Sequence, residues 1–400
     1  MKRTVLVFLL VNLMLSACAP ASAPTPAPVP STTPLPTATA MPTSTATPTS
    51  TPTAIPTATP TSMPTSKHAN ISVPTATPST IVFTPQPPTL RNLADARNFY
   101  IGTFYMAYEF DRITTIQEKE FNLAGIYVGM SLTQPKQGDF RLDTMIGLAH
   151  RAFNAKREVL IHPLIWAGDV PDWVKKGHFS RDEMIQIIRT HIRALMKPFL
   201  GKRVIFVVVN EAYIEGDIFR QVIGDDYVDI AFQTAREYDP SAILIYNDYD
   251  NHTPAGARTQ ISQDIIKRLK AQNLVDGIGL QMHLDGAKPP SKDDIISTMR
   301  SYGLPVYVTE FDVNLRNVKG DQVQRFAVQA EIYRNSLEAC IESAVCNHFV
   351  IFQTVDKYSV WETMPSLPFY STNADPTPFD DEMRPKPAYY AIRDVLSSNK

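Results

Sequence analysis

The sequence after residue 91 predicts a TIM barrel, the (β/α)8 form of the α/β class, in which eight parallel strands alternate with helices. Eight short apolar runs, rich in β-branched residues, recur with amphipathic stretches between them. They are Phe99–Phe104, Leu123–Val128, Val159–Trp166, Val204–Val209, Ile243–Tyr246, Ile278–Leu284, Val306–Val308 and Phe349–Phe352. Such nearly continuous apolar runs are typical of parallel strands buried on both faces. A doubly wound sheet is the alternative, but it should carry a Gly-rich phosphate loop after an early strand, and none is found.

Three stretches between these runs have the apolar spacing of helices. The clearest is Asp182–Phe199, in which apolar residues recur every three or four positions, and Ser180 before it is a candidate N-cap. Tyr227–Tyr238 and Gln322–Ala339 have a similar pattern. Because strand and helix patterns alternate along the whole region, residues 91–400 are predicted to form one barrel domain.

The first 17 residues resemble a signal peptide for export. Lys2 and Arg3 provide the positive start, and Val5–Leu15 is an apolar run that is short for a membrane span. Leu15–Cys18 resembles a bacterial lipobox, which implies cleavage before Cys18 and attachment of lipid to it. The alternative is an ordinary secretory signal with an incidental cysteine. The lipoprotein interpretation predicts a secreted domain held at the cell envelope by a lipid anchor in a membrane.

Residues 18–90 are predicted to be a disordered linker that begins at the lipidated cysteine. This segment holds more than half of the chain's 33 prolines, together with many Thr, Ala and Ser, and no charged residue occurs between Cys18 and Lys67. It has too little apolar surface to offset the entropy of ordering, and its prolines favour a semi-rigid spacer. The formal net charge of the chain is -2, which gives no reason to expect a nucleic-acid partner.

Two further cysteines, Cys340 and Cys346, lie close together near the end of the chain. An exported protein meets an oxidising compartment, so we expect a local disulfide between them; two buried free thiols are the alternative. Two cysteines without suitably spaced histidines are too few for a zinc site, and no metal site is predicted.

Two glutamates directly follow strand patterns. Glu211 comes after the fourth run, within Val207–Ala212, and Glu310 comes after the seventh, within Val306–Asp312. Functional residues of a TIM barrel gather at the C-terminal ends of the strands, so both carboxyl groups should face one mouth. Either glutamate alone could be an ordinary carboxylate exposed to water at the rim of the barrel. A pair of them fits glycoside hydrolysis, which requires two carboxyl groups flanking the scissile bond. These two groups carry the whole reaction, so no cofactor is expected.

Ordered blocks over residues 91–397 resemble glycoside hydrolase family 10, the retaining endo-β-1,4-xylanases. The blocks are Val208–Ala212, Phe219–Tyr227, Tyr246–Tyr249, Asp276–His283, Thr309–Asp312, Asp356–Ser359 and Pro385–Tyr390. The resemblance implies that Glu211 is the general acid/base and Glu310 the nucleophile. It also implies that Asn210 bonds the 2-hydroxyl of the reacting sugar, and that His283 bonds the nucleophile and keeps it ionised. We further expect the pKa of Glu211 to be raised by the charge of Glu310.

The same resemblance implies further residues that bind the substrate or support the site. His162 and Trp166 match a segment that shapes the inner glycone subsite, although a core position for Trp166 is an even alternative. The remaining members of this set are Gln281, Tyr249, Phe352 and Trp361. Cys340 and Cys346 also resemble a disulfide found in some members of the family. The implied partner is a xylan-like polysaccharide or oligosaccharide, and the chain is expected to be a monomer.

The sequence departs from the family pattern around the glycone subsites. The stretch Ile126–Pro135 lacks the lysine and the acidic residues of the family's strand-two motif, and Ala167 replaces a histidine. Phe352 replaces a tryptophan, and Val360 occupies a second tryptophan position with Trp361 beside it. Three possibilities follow: an unusual xylanase, an enzyme for another or decorated β-glycan, or a glycan-binding surface protein with little turnover. Transglycosylation through the same intermediate is a further, weaker alternative.

Overall fold

The computed structural model describes residues 87–105, 111–365 and 370–398, which belong to one compact unit that spans Gln86–Lys400. The predicted signal peptide, the lipidated Cys18 and almost all of the predicted linker lie outside the described residues. Among the helices that are described, none combines the length and the apolar character needed to cross a membrane.

The core of this unit is a closed ring of eight parallel strands, as predicted. The described residues form nine strands, of which all except β7 make up the ring: β1 (Tyr100–Tyr105), β2 (Leu123–Tyr127), β3 (Glu158–His162), β4 (Ile205–Asn210), β5 (Ile243–Asp248), β6 (Gly277–Leu280), β7 (His283–Asp285), β8 (Val306–Asn314) and β9 (Cys346–Ile351). Neighbours in sequence pair from β1 to β6, β6 pairs with β8, and β9 closes the ring against β1. The short strand β7 pairs only with the end of β8. All eight predicted runs therefore contribute to the barrel.

Helices connect the strands. They are α1 (Leu90–Asp95), α2 (Asp111–Glu120), α3 (Met130–Thr133), α4 (Asp143–Asn154), α5 (Asp172–Lys175), α6 (Arg181–Met196), α7 (Ile218–Ile223), α8 (Tyr227–Tyr238), α9 (Thr259–Ala271), α10 (Lys292–Ser301), α11 (Gln322–Ser343), α12 (Val360–Thr363) and α13 (Pro387–Ser397). The three predicted helices correspond to α6, α8 and α11. Ser180 caps α6 as predicted: its hydroxyl accepts from the Glu183 backbone, and the Glu183 carboxylate accepts from the Ser180 backbone.

Two strands differ from the sequence prediction. The third run was expected to continue to Trp166, but β3 ends at His162 because Pro163 follows and has no N–H for the ladder. The sixth run was expected to be one strand from Ile278 to Leu284, but it is divided into β6 and β7. Between them Met282 has a φ of 59°, a left-handed conformation that interrupts an extended strand.

Two layers of apolar side chains hold the barrel together. A large cluster lies between the strands and the helices. A smaller cluster is formed by side chains of seven of the strands, among them Phe104, Leu160, Val207 and Tyr307. The ring of Phe104 meets those of His162 and Phe352 edge-on, with centroids 5.5 and 5.6 Å apart. This aromatic contact connects the smaller cluster to side chains at the strand ends. At the end of α11 the predicted disulfide between Cys340 and Cys346 is present.

Candidate active site

Both predicted glutamates lie just past strand segments that pair in the ring. Glu211 is the first residue after β4, and Glu310 is the middle residue of β8, two positions after Val308, where the pairing with β6 ends. Glu211 has a φ of 53°, a left-handed conformation that is uncommon for a residue other than glycine. Because the strands are parallel, both carboxyl groups belong to the same end of the barrel.

Glu211 is held by two neutral donors. Gln281 donates from Nε2 to Oε1 at 2.6 Å, and the indole of Trp166 donates from Nε1 to Oε2 at 2.9 Å. Burial raises the pKa of Glu211, and the charges of Glu310 and Asp248 raise it further, while the two hydrogen bonds lower it; the result is a pKa of about 7. Glu211 is therefore protonated in a large fraction of molecules at neutral pH.

Glu310 has the opposite surroundings. Asn247 donates from Nδ2 to its Oε1 at 2.7 Å, and His162 Nε2 lies 3.4 Å from the same oxygen. His283 Nε2 lies 3.4 Å from Oε2. Burial by itself raises the pKa of this carboxyl, but attraction to the histidines and the hydrogen bonds outweigh it and lower the pKa below its usual value. Glu310 is only 5% exposed and is nevertheless kept ionised.

A short chain of amide side chains connects the two carboxyl groups. Asn210 Oδ1 accepts from Gln281 Nε2 at 3.3 Å and from Asn247 Nδ2 at 2.8 Å. Gln281 also donates to Glu211, and Asn247 also donates to Glu310. Asn210 and Gln281 were predicted to support the site, and their contacts place them between the two glutamates.

His283 is charged because it lies between two carboxylates. Its Nδ1 is 2.9 Å from Asp312 Oδ2, and its Nε2 faces Glu310. Burial lowers the pKa of His283, but Asp312 and Glu310 outweigh it and raise the pKa to about 10. The indole of Trp361 donates to the same Asp312 oxygen at 2.7 Å, and the rings of Trp361 and Phe352 meet the imidazole edge-on. The predicted residues His283, Phe352 and Trp361 therefore form one group.

Tyr249 and Trp166 complete the predicted set. Tyr249 follows β5, is 40% exposed, and stacks on the Arg258 guanidinium, whose carbon lies 5.2 Å from the ring centroid. Arg258 in turn pairs with Asp248 in the interior. Trp166, left open between a core and a sugar-stacking position, is half-buried and bonds Glu211.

Two residues of the site were missing from the sequence prediction. Asn247 and Asp312 lie within the blocks that resemble the family, but the sequence pattern assigns neither of them a role. Their position in the sequence could have indicated a role in the site. Each is a polar residue in or near a buried strand, where leaving a polar group without a partner costs free energy of folding. In the part of the chain that the structure describes, no group of three or more His, Cys, Asp or Glu is arranged to hold a metal ion.

Comparisons with known proteins identify the family of the chain. The model of glycosyl hydrolase family 10 matches residues 89–395. Endo-1,4-beta-xylanase B of Thermotoga neapolitana is 29% identical over 77% of this chain and 91% of its own length. Endo-1,4-beta-xylanase A of Humicola insolens is 30% identical over 66% of this chain and 71% of its own.

Solved structures give the same result. The crystal structure of xylanase 10B from Thermotoga maritima matches with a TM-score of 0.71 and 27% identity, over 77% of this chain and 98% of its own. Xylanase 10B from Thermotoga petrophila, solved in complex with xylobiose, matches with the same score and identity over 78% and 98%. The chain therefore belongs to glycosyl hydrolase family 10 and is a glycosidase.

Proposed function

We propose that this chain is a retaining endo-β-1,4-xylanase in which Glu211 is the general acid/base and Glu310 the nucleophile. The observation that carries the proposal is the opposite tuning of the two carboxyl groups. The pKa of Glu211 is raised to about 7, whereas that of Glu310 is lowered. Two neighbouring carboxyl groups whose surroundings separate their pKa values are suited to acid and nucleophile roles at one pH.

The reaction proceeds in two displacements. Glu310 attacks the anomeric carbon while Glu211 gives its proton to the departing glycosidic oxygen, so that a glycosyl ester forms and the aglycone leaves. Glu211, now ionised, takes a proton from water, which attacks the same carbon and releases Glu310. Asn210 donates from Nδ2 to the 2-hydroxyl of the reacting sugar, because its oxygen is already engaged by Gln281 and Asn247.

The proposed substrate is xylan, cleaved at internal β-1,4 bonds, or a closely related β-glycan. Its support is the set of relatives named as endo-1,4-beta-xylanases and the neighbour solved with xylobiose. We further propose that the enzyme acts as a monomer outside the cytoplasm, attached to a bacterial membrane through lipidated Cys18 and its Pro/Thr-rich linker.

Stereochemistry and two substitutions test the mechanism. The purified chain should release reducing sugar from soluble xylan, and proton NMR should detect the β-anomer as the first product. Glu211→Gln and Glu310→Gln should each lower kcat/KM on xylan by at least about a thousandfold, because each removes one of the two reacting groups.

Glu215→Gln is the matched control, since Glu215 lies on the same loop after β4 and is exposed. The control should keep wild-type activity. An α-anomer as first product would disprove retention, and full activity in either Gln variant would disprove the assigned role. Tight binding of xylo-oligosaccharides without any hydrolysis by the wild-type chain would instead favour the glycan-binding alternative.

A further inference from the structure

A buried carboxylate next to the candidate site has no part in the mechanism above. Asp169 lies in the loop after β3 and is 6% exposed. Tyr127, at the end of β2, donates its hydroxyl to Asp169 Oδ2 at 2.6 Å, and the hydroxyl of Ser131 donates to Oδ1. These three residues, Tyr127, Ser131 and Asp169, are here named the Asp169 cluster.

The backbone around the Asp169 cluster is shaped to accommodate it. A Cβ atom on Gly129 would lie 1.8 Å from Asp169 Oδ2 and 2.5 Å from the Tyr127 hydroxyl, so only glycine fits beneath the two side chains. The Asp169 backbone N–H also donates to the Trp166 carbonyl at 3.2 Å, which fixes the loop. The carboxylate is therefore held in one position rather than free to turn to solvent.

The Asp169 cluster adjoins both glutamates of the site. The Tyr127 ring lies 6.4 Å, centroid to centroid, from the ring of His162, which contacts Glu310. Trp166, three residues before Asp169, bonds Glu211. Burial raises the pKa of Tyr127 strongly, and the charges of Asp169, Glu211 and Glu310 raise it further, which agrees with a place on the same wall of the site.

A carboxylate in this position has unused capacity to accept hydrogen bonds. An ionised carboxyl group offers about four lone-pair sites, and the hydroxyls of Tyr127 and Ser131 occupy one on each oxygen. Each oxygen therefore has capacity to accept one more hydrogen bond, and two neighbouring hydroxyls of a sugar are donors of the kind that could use it. Asp169 also brings a negative charge to Tyr127 and Ser131, because the stretch Ile126–Pro135 contains no charged residue of its own.

We propose that Asp169 is a specificity-determining residue that accepts hydrogen bonds from the free 2- and 3-hydroxyls of one glycone sugar. The inference rests on the proposed xylanase function and names the substrate within it: a β-xylan whose glycone unit is unsubstituted at these positions. An acetyl or arabinosyl group on either oxygen removes the O–H donor and leaves a buried carboxylate facing a group that cannot pair with it. A site built to bond a hydroxyl discriminates steeply against analogues that lack it.

The test measures how much each glycone hydroxyl contributes. The substrates are an aryl β-xylobioside and four analogues, each with the 2- or 3-hydroxyl of one sugar replaced by hydrogen. In the wild type, kcat/KM should fall about ten- to a hundredfold for both the 2-deoxy and the 3-deoxy analogue of one sugar, the range for hydrogen bonds to a charged group. In Asp169→Asn the parent substrate should be cleaved less efficiently than by the wild type. The further loss of kcat/KM on removing a hydroxyl should be about tenfold smaller than in the wild type.

Two further variants guard against a merely structural effect. Asp172→Asn removes an exposed carboxylate three residues away and should keep all wild-type penalties. Tyr127→Phe leaves the carboxylate but removes one of the hydroxyls that orient it, and it should weaken the same penalty as Asp169→Asn. Thermal unfolding of each variant shows whether it is folded, and a structural role alone lowers kcat/KM for every analogue by one factor.

Calorimetric binding of xylobiose and its four deoxy analogues separates this inference from the proposed function. If the wild-type chain fails to hydrolyse the xylobioside, the proposed function is wrong, while the binding penalties still decide the role of Asp169. Penalties that are the same in the wild type and in Asp169→Asn for all four analogues would overturn the inference.

Discussion

The charge on His283 depends on Asp312, which makes Asp312→Asn an informative substitution. The imidazole lies between Asp312 Oδ2 at 2.9 Å and Glu310 Oε2 at 3.4 Å. Among the groups that raise its pKa, Asp312 contributes most and opposes burial. Asparagine keeps the size and an acceptor oxygen for the imidazole and for Trp361, but it removes the negative charge. Burial should then favour neutral His283, and Glu310 should lose a cationic neighbour.

The size of the effect follows from the distance between His283 and Glu310. Two unit charges 3.4 Å apart interact by about 5 kcal/mol at an effective dielectric constant of about 20. Asn247 and His162 still contact Glu310 after the substitution, so part of the stabilisation of its ionised form remains. Opposite charges at such distances commonly shift a carboxyl pKa by about 1–3 units. We therefore expect the pKa of Glu310 to rise in Asp312→Asn.

The pH dependence of kcat/KM on an aryl β-xylobioside measures this shift. Its acidic limb reports the group that must be ionised in the free enzyme, proposed to be Glu310. In Asp312→Asn the acidic limb should move to higher pH, with kcat/KM partly recovered above it. Asp285→Asn, at the far end of β7 from His283, is the control and should leave the limb in place. An unchanged acidic limb in Asp312→Asn would refute the charge argument, even if overall activity fell.

Two other substitutions have defined outcomes. Gln281→Ala removes a hydrogen bond that lowers the pKa of Glu211, so the alkaline limb of kcat/KM, expected near pH 7 in the wild type, should move up by about one unit. An alkaline limb that stays at the same pH or moves to lower pH would show that the Gln281 hydrogen bond does not lower the pKa of Glu211. Lys386→Met breaks a buried ion pair with Asp356, joined at 2.8 Å, and should lower the free energy of unfolding in urea by about 3–5 kcal/mol. Lys176→Met, in an exposed pair, should leave that free energy unchanged within error.

The barrel could be predicted from sequence because its signal is local. Each strand is an apolar run buried on both faces, and each turn to a helix changes the spacing of apolar residues. The exact residues at which the strands end were harder to predict, because they depend on the backbone conformation of single residues. The break at Met282, with its left-handed φ, leaves no trace in the apolar pattern of Ile278–Leu284. The same is true of Glu211, whose φ of 53° follows an unbroken β-branched run.

The site was predictable as a set of residues but not as a set of contacts. Position after a strand narrows the 40 acidic residues to a few, including Asp285, and the family resemblance then selects Glu211 and Glu310 among them. It does not reveal that Asn247 bonds one of them, or that Asp312 holds the histidine beside it, because both contacts join different strands. The contacts of the Asp169 cluster join residues 38 and 42 positions apart in the sequence, so the sequence pattern could not predict them either.

The cause of the raised pKa of Glu211 also differs from the sequence-based expectation, with a consequence for the two steps. The charge of Glu310 was expected to raise it, but burial is the larger cause. In the proposed mechanism Glu310 becomes an ester, so its charge no longer raises the pKa of Glu211, and we expect that pKa to fall while the larger contribution of burial remains. Glu211 should then be ionised more readily at neutral pH, as a general base must be. Burial would therefore favour the acid in the first proposed step, and the loss of the Glu310 charge would favour the base in the second.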